Sequence, residues 1–399
     1  MWPADPRAAE QGALSGVRVL DLSRILAGPT CTQILGDLGA DVLKVEQPGK
    51  GDDTRRWGPP YVSGRDGQPT SEAAYYLAVN RNKRSVLIDL STPSGLDTLE
   101  ALLASADVLV ENFKAGSLER FGLGYEQVHA RFPSLVYCSI TGFGRTGPYR
   151  ERPGYDFVAQ SMGGIMSITG EPEGAPMKVG VGIADVASGL YAAIGILAAL
   201  RHRERTGVGQ QVDIALLDAQ VSLLVNEATN YFVAGEVPRR RGNEHPNIVP
   251  YGVYGTLDGF IVVAVGNDAQ FARWCDVAGA TELARDERFV TNAARVVNRL
   301  ALDELVVPLM KRRSSAEWLA RLEGAGVPCG PVSSLDEVFA DPQVLARGMR
   351  IEMDYPHAQA GSISLVGSPL KLSETPVTYR TPPPLLGEQA ADLERCSEG

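Results

Sequence analysis

The sequence predicts an α/β protein: a Rossmann-like large domain around a parallel sheet, plus a smaller α+β domain. Three observations lead there. Between residues 14 and 145, apolar runs of strand length alternate with helical stretches, the pattern of successive βαβ units. From Gly142 to Gly189 the chain is rich in glycine and proline, as functional loops are. Beyond about residue 245, strand-like Phe260–Val265 is followed by three helical stretches, which marks a second unit.

In order along the chain, Val17–Leu22 reads as a buried strand. Pro29 opens a helical stretch through Leu38, and Asp41–Val45 is a second strand, completing one βαβ unit. Ser85–Leu90 is another strand, and Pro93–Ala104 a helix with proline in its first turn. Asp107–Val110 and Leu135–Ile140 continue the alternation, so 14–145 forms one doubly wound domain. Leu190–Leu200 is the longest apolar run, but eleven residues fall short of the roughly 20 that cross a bilayer. It is expected to be a core helix. After a break near Thr206–Gly209, residues 211–231 are expected to be helical again. Helices follow near 270–279, 297–312, 315–324 and 335–346, then strand-like Gly361–Val366 and the Pro382-Pro383-Pro384 coil. The expected division is a large domain over 1–200 completed by 346–399, linker helices over 201–231, a small domain over 232–330 and a return linker over 331–345.

Composition narrows the function. Hydrophobic residues at 44% and charged residues at 22% describe an ordinary globular protein. The formal net charge is −10 and no basic stripe is interleaved with aromatics, so nucleic acid is not expected as a partner. The N-terminus has no apolar signal segment, and no membrane association is expected. The five cysteines (Cys31, Cys138, Cys275, Cys329, Cys396) are scattered, never in a C-x-x-C pair, which points to a reducing cytoplasm. The four histidines are equally dispersed, so no metal site is expected.

Several segments could carry chemistry. Gly142-Phe143-Gly144-Arg145-Thr146-Gly147 matches a dinucleotide fingerprint, but Pro148 and Pro153 follow where a helix must begin, so it reads as a loop. Asn80-Arg81-Asn82-Lys83-Arg84 is either a solvated strand start or a phosphate-binding cluster. The same two readings hold for Lys44 and for the Lys50–Arg56 loop, beside which Trp57 could stack on a flat heterocycle or pack. Asp185 precedes the apolar helix among glycine, alanine and valine. Locally it is a helix cap, since aspartate is a preferred N-cap, yet a carboxylate among small residues is also open to a large substrate. Asp156 reads as another cap.

Taken together, these segments resemble the class III CoA-transferase family. The likeness is carried by Leu26-Ala27-Gly28-Pro29, Leu35–Glu46, Gly51–Arg55, Asn80–Ser85, Val110–Phe113, Thr141–Pro148, Gly154-Tyr155-Asp156, the Asp185 segment and Thr206–Gln210. The resemblance implies that Asp185 is the nucleophile and that coenzyme A, as acyl-CoA, is a substrate. It implies CoA contacts at Lys44, Glu46, Trp57, Asn82, Lys83, Arg84, Asn112, Arg120, Arg145 and Asp156. It also implies an aspartyl anhydride and then an aspartyl-CoA thioester as intermediates, whose oxyanions the backbone N–H groups at the helix start after Asp185 are placed to stabilise. The resemblance further implies no permanently bound cofactor and, as in relatives of this kind, an intertwined homodimer.

Within the family, α-methylacyl-CoA racemases carry a histidine immediately before the position of Asp156. Here it is Tyr155, which is no imidazole base, so racemase chemistry is not expected. A catalytically silent CoA-binding protein is a further alternative. The chain is more similar to the succinate–hydroxymethylglutarate branch, through Gly51–Pro60, Tyr75-Tyr76-Leu77, Asn230-Tyr231, Ile248–Tyr251 and Pro382–Gly387. That implies transfer from a dicarboxylyl-CoA, with succinyl-CoA as donor, to a C4–C6 dicarboxylate. The substrate and lid residues are then expected among Leu26, Tyr155, Arg241, Gly242, Asn243 and His245, with Arg241 and His245 on the distal carboxylate.

Overall fold

The computed structural model describes residues 2–3 and 12–391; Cys396 lies outside them. Contacts divide the chain into two units, one of 1–165, 178–224 and 342–399, the other of 166–177 and 225–341.

The first unit is built on strands β1 (Arg18–Asp21), β2 (Asp41–Glu46), β3 (Tyr61–Ser63), β4 (Pro69–Ala73), β5 (Lys83–Leu87), β6 (Val108–Glu111), β7 (Val136–Thr141) and β8 (Gln211–Ala215). Six of them form one sheet in the order β5-β2-β1-β6-β7-β8, and every pairing in it is parallel. β3 and β4 pair separately as a hairpin. A parallel sheet needs apolar residues on both faces, and successive residues supply them. Val19, Val42, Val110 and Cys138 point into one core layer, and Leu20, Leu43, Leu109 and Tyr137 into the other. Helix α1 (Ala27–Asp37) covers the first face together with a long helix, α5 (Ile183–Thr206). The other face is covered by α2 (Pro93–Leu103) and α3 (Tyr125–Arg131). α4 (Asp156–Met162) precedes α5, and α6 (Leu216–Ser222) follows β8. The tail adds the β12–β13 hairpin (Arg350–Asp354 and Ser362–Val366).

α5 is the one described helix long and apolar enough to span a membrane by length and composition, yet over half of its most apolar window is buried. It packs tightly on α1 because Gly189 lacks a side chain: a Cβ there would lie 2.7 Å from the Ala27 carbonyl oxygen. The helix ends at Gly207, in the left-handed conformation (φ 76°) that glycine adopts freely.

Two expectations need correction. Residues 211–231 are not helical throughout, because Gln211–Ala215 is the sixth sheet strand. Paired along β7, with Val212 and Ile214 packed on the core, it takes strand geometry from its tertiary setting. The stretch 335–346 is two helices, Leu335–Ala340 and Pro342–Ala346, since Pro342 has no N–H with which to continue the first.

The second unit holds α7 (Val225–Ala234) and a three-stranded antiparallel sheet of β9 (Tyr251–Gly255), β10 (Phe260–Ala264) and β11 (Cys329–Pro331). Its helices include α8 (Asp268–Ala278), α9 (Arg299–Met310) and α10 (Ser315–Gly324), packed around Trp274, Trp318 and Phe289.

Candidate active site

The strand order of the large sheet reverses between β1, whose chain continues to β2 on one side, and β6 on the other. In open α/β sheets such a switch point opens a crevice at the carboxyl ends of the strands, where ligands bind. Two cavities lie there. One, of about 220 Å³, is lined by Arg24–Ala27, Asn112–Ala115, Ile140–Gly142, Tyr155 and Asp185. The other, of about 230 Å³, is lined among others by Glu46, Asp52, Ser91 and Arg120. Arg24 and Phe113 line both.

The wall between them is held firmly. Asn112 Oδ1 accepts from the Arg24 N–H at 2.8 Å, and its Nδ2 donates to the Arg24 carbonyl at 2.7 Å. Ile25 has φ 73°, a costly conformation for a β-branched residue. Its N–H is anchored to both Asp52 carboxylate oxygens, at 3.2 and 3.3 Å. Lys44 Nζ reaches Asp52 at 2.9 Å and the Ser23 carbonyl at 2.8 Å. Despite burial, Lys44 and the Thr54 N–H and hydroxyl hold the Asp52 carboxyl down at about 2.

Asp185 lies in the first turn of α5 and is not its cap. The cap comes from α4: Asp156 Oδ1 accepts from the N–H groups of Ala184 (2.8 Å) and Asp185 (3.4 Å), while its Oδ2 accepts from Gln160 at 2.7 Å. The Asp185 carboxylate itself makes no hydrogen bond among the described residues, and it faces the 220 Å³ cavity. Burial, with the Asp156 charge adding to it, pushes its carboxyl up to about 7. Asp156 thus occupies the Ala184 and Asp185 N–H groups, and the Val186 N–H, the first after Asp185, donates to the Gly182 carbonyl at 3.0 Å, so it is not the free oxyanion donor the sequence suggested. Tyr75, which the sequence did not single out for the site, is raised by burial and then by the charges of Asp185, Asp156 and Asp52. Its ring meets the edge of the half-exposed Trp57 at 5.3 Å.

The structure separates the expected site residues into groups. Leu26, Asn112 and Tyr155 line the cavity with Asp185, and Glu46 and Arg120 line its neighbour. Lys44, Asn82, Lys83 and Arg84 do not reach either cavity, because their side chains are buried in internal pairs. Lys83 meets Asp21 at 3.3 Å, Arg84 forks onto Asp41 at 2.8 Å, and Asn82 bridges Asp37 to the Thr378 carbonyl. Glu46 is itself engaged by Arg55 at 2.7 Å and Ser85 at 2.6 Å. Arg145 pairs with Glu119 and stands 3.7 Å from Glu111, in a different hollow. Arg241, Gly242, Asn243 and His245 belong to the second unit. There Arg241 stands 3.6 Å from Glu227, and His245 Nδ1 accepts from the Asn247 N–H at 3.1 Å. Arg24 and Ile25 were missed; their place directly after the first strand of a parallel sheet was the available signal. Among the described residues no cluster of histidine, cysteine and carboxylate side chains could hold a metal ion.

Residues 14–390 match the family model described as CoA-transferase family III. A succinate–glutarate CoA-transferase of Agrobacterium fabrum is 49% identical over 381 residues, covering 95% of this chain and 94% of that protein. The human succinyl-CoA:glutarate CoA-transferase is 42% identical over 395 residues, covering 98% and 88%. Among solved structures, a CAIB/BAIF family protein from Brucella suis superposes with a TM-score of 0.84 at 47% identity, covering 97% of this chain and 99% of that one.

Proposed function

The chain belongs to CoA-transferase family III, and from that premise we propose that it moves CoA from a dicarboxylyl-CoA, succinyl-CoA first, to a C4–C6 dicarboxylate such as glutarate or hydroxymethylglutarate. The observation that carries the reading is Asp185: a desolvated carboxylate without a hydrogen bond, open to a cavity at the sheet's switch point.

Its ionised carboxylate attacks the thioester carbonyl. The C–S bond breaks, CoA leaves as thiolate, and an acyl-aspartyl anhydride remains. The thiolate then attacks the aspartyl carbonyl and expels the donor acid, which leaves an Asp185–CoA thioester. The acceptor carboxylate attacks that thioester to give a second anhydride. The released thiolate takes the acceptor's acyl group and frees Asp185. Each step exchanges one acyl bond for another of similar energy, which is the advantage of covalent catalysis. Desolvation strengthens the carboxylate as a nucleophile once it is ionised. CoA reaches Asp185 along the two adjoining cavities, past Arg120, Phe113 and Asn112.

A homodimer fits the exposed apolar stripe Leu190, Tyr191, Ile194 and Leu197 along α5, a surface that calls for a partner. The unpaired cysteines Cys31, Cys138, Cys275 and Cys329 fit a reducing cytoplasm.

The test is an acceptor screen with succinyl-CoA against glutarate, 3-hydroxy-3-methylglutarate, malate, itaconate, mesaconate and oxalate. Transfer to one or more C4–C6 dicarboxylates is expected. Deuterium exchange at Cα of an acyl-CoA without added acid would mark a racemase instead, and CoA binding without any turnover would mark a silent binder.

A further inference from the structure

Four cationic side chains line the Asp185 cavity: Arg24, Lys114, Arg150 and Arg152. Arg24 is paired with Asp53 at 2.9 Å, and Arg150 stands 3.6 Å from Glu151. Lys114 is a flexible point charge on the loop after β6. Arg152 is different. Its guanidinium lies over the Tyr149 ring at 4.6 Å and over the Phe143 ring at 5.3 Å, and the two rings themselves meet edge to face at 5.7 Å. No carboxylate pairs with it among the described residues.

A guanidinium resting against aromatic rings loses less freedom on binding, and with no carboxylate partner its N–H groups suit a two-pronged grip on a carboxylate. We propose that Arg152, oriented by Tyr149 and Phe143, binds the distal carboxylate of the dicarboxylyl group and so sets the preference for dicarboxylates. The inference rests on the dicarboxylate CoA-transferase reading above. It replaces Arg241 and His245 in that role, since both have partners within the second unit. One arginine serves both halves of the reaction, because donor and acceptor each present a free carboxylate beyond the carbonyl being attacked.

The experiment compares succinyl-CoA with butyryl-CoA, its counterpart lacking the distal carboxylate, as donors for the wild type, Arg152→Gln and Arg152→Lys. Because the reaction is a two-stage exchange, kcat/KM for each donor reports the first half alone. The succinyl-to-butyryl ratio of kcat/KM is expected to fall roughly 10- to 100-fold in Arg152→Gln, as loss of a charge-assisted pair implies, and to recover in part in Arg152→Lys. An unchanged ratio overturns the proposal. If, in addition, both donors weaken together with inhibition by free CoA, Arg152 is a contact to the CoA phosphates. A wild type that uses both donors equally well overturns it too. A wild type that transfers CoA to no dicarboxylate removes the functional reading itself, a result separate from any behaviour of the variants.

Discussion

Replacing Asp185 with asparagine should make the protein more stable and inactive, and the gain should depend on pH. The amide keeps nearly the same shape but removes the ionisable group. In the fold the carboxyl is raised from 3.8 to about 7. Each unit corresponds to about 1.4 kcal/mol, so the folded protein carries a penalty of up to about 4 kcal/mol for the ionised group. Residual water at this partly exposed side chain reduces that to about 2–4 kcal/mol. The folded value lies above the unfolded one, so the native state holds the proton more tightly. Stability is therefore lost as pH rises between 3.8 and about 7, and the loss is complete above that range. Asp185→Asn should match the wild type near pH 4 and exceed it by the full amount near pH 8. Urea unfolding of both proteins across this range, followed by circular dichroism, measures the gap. A gap that does not change with pH, or a variant less stable at pH 8, refutes the reasoning.

Other consequences follow from the same geometry. Catalysis requires the Asp185 anion, so kcat/KM should rise with pH through about 7; Asp156→Asn removes the neighbouring charge and should move that limb to lower pH, read from the pH–rate profile. Lys44→Met leaves Asp52 without its buried counter-charge and should cost about 3–5 kcal/mol in urea unfolding, whereas a CoA-contacting lysine would mainly raise KM. Gly189→Ala drives a Cβ to 2.7 Å from the Ala27 carbonyl oxygen; it should cost about 1–3 kcal/mol and lower kcat, because the shift separates Asp185 from Leu26 and Ala27 at the start of α1.

The parallel sheet was legible because buried strands on both faces leave apolar runs such as Val17–Leu22 and Leu135–Ile140. β8 was not, because Gln211–Ala215 is short and runs straight into the helix from Leu216, and it becomes a strand beside β7. Local sequence could place Asp185 at a helix start but could not show that Asp156, 29 residues earlier, supplies the capping oxygen. The buried cations were misread for a related reason. Asn80–Arg84 resembles a phosphate cluster in sequence, and only the fold brings up Asp37, Asp41 and Asp21 as its partners. Arg152 was not singled out, because only folding places it against Tyr149 and Phe143.

The central claim is that Asp185 carries CoA covalently, and it is tested most directly by trapping. The protein is incubated with succinyl-CoA alone, quenched, digested and analysed by mass spectrometry, with parallel samples treated with hydroxylamine or borohydride. The peptide containing Asp185 should bear CoA as a thioester, convert to the hydroxamate or the alcohol under the two reagents, and stay unmodified in Asp185→Asn. An adduct on another residue, or full transfer activity without Asp185, would contradict the account.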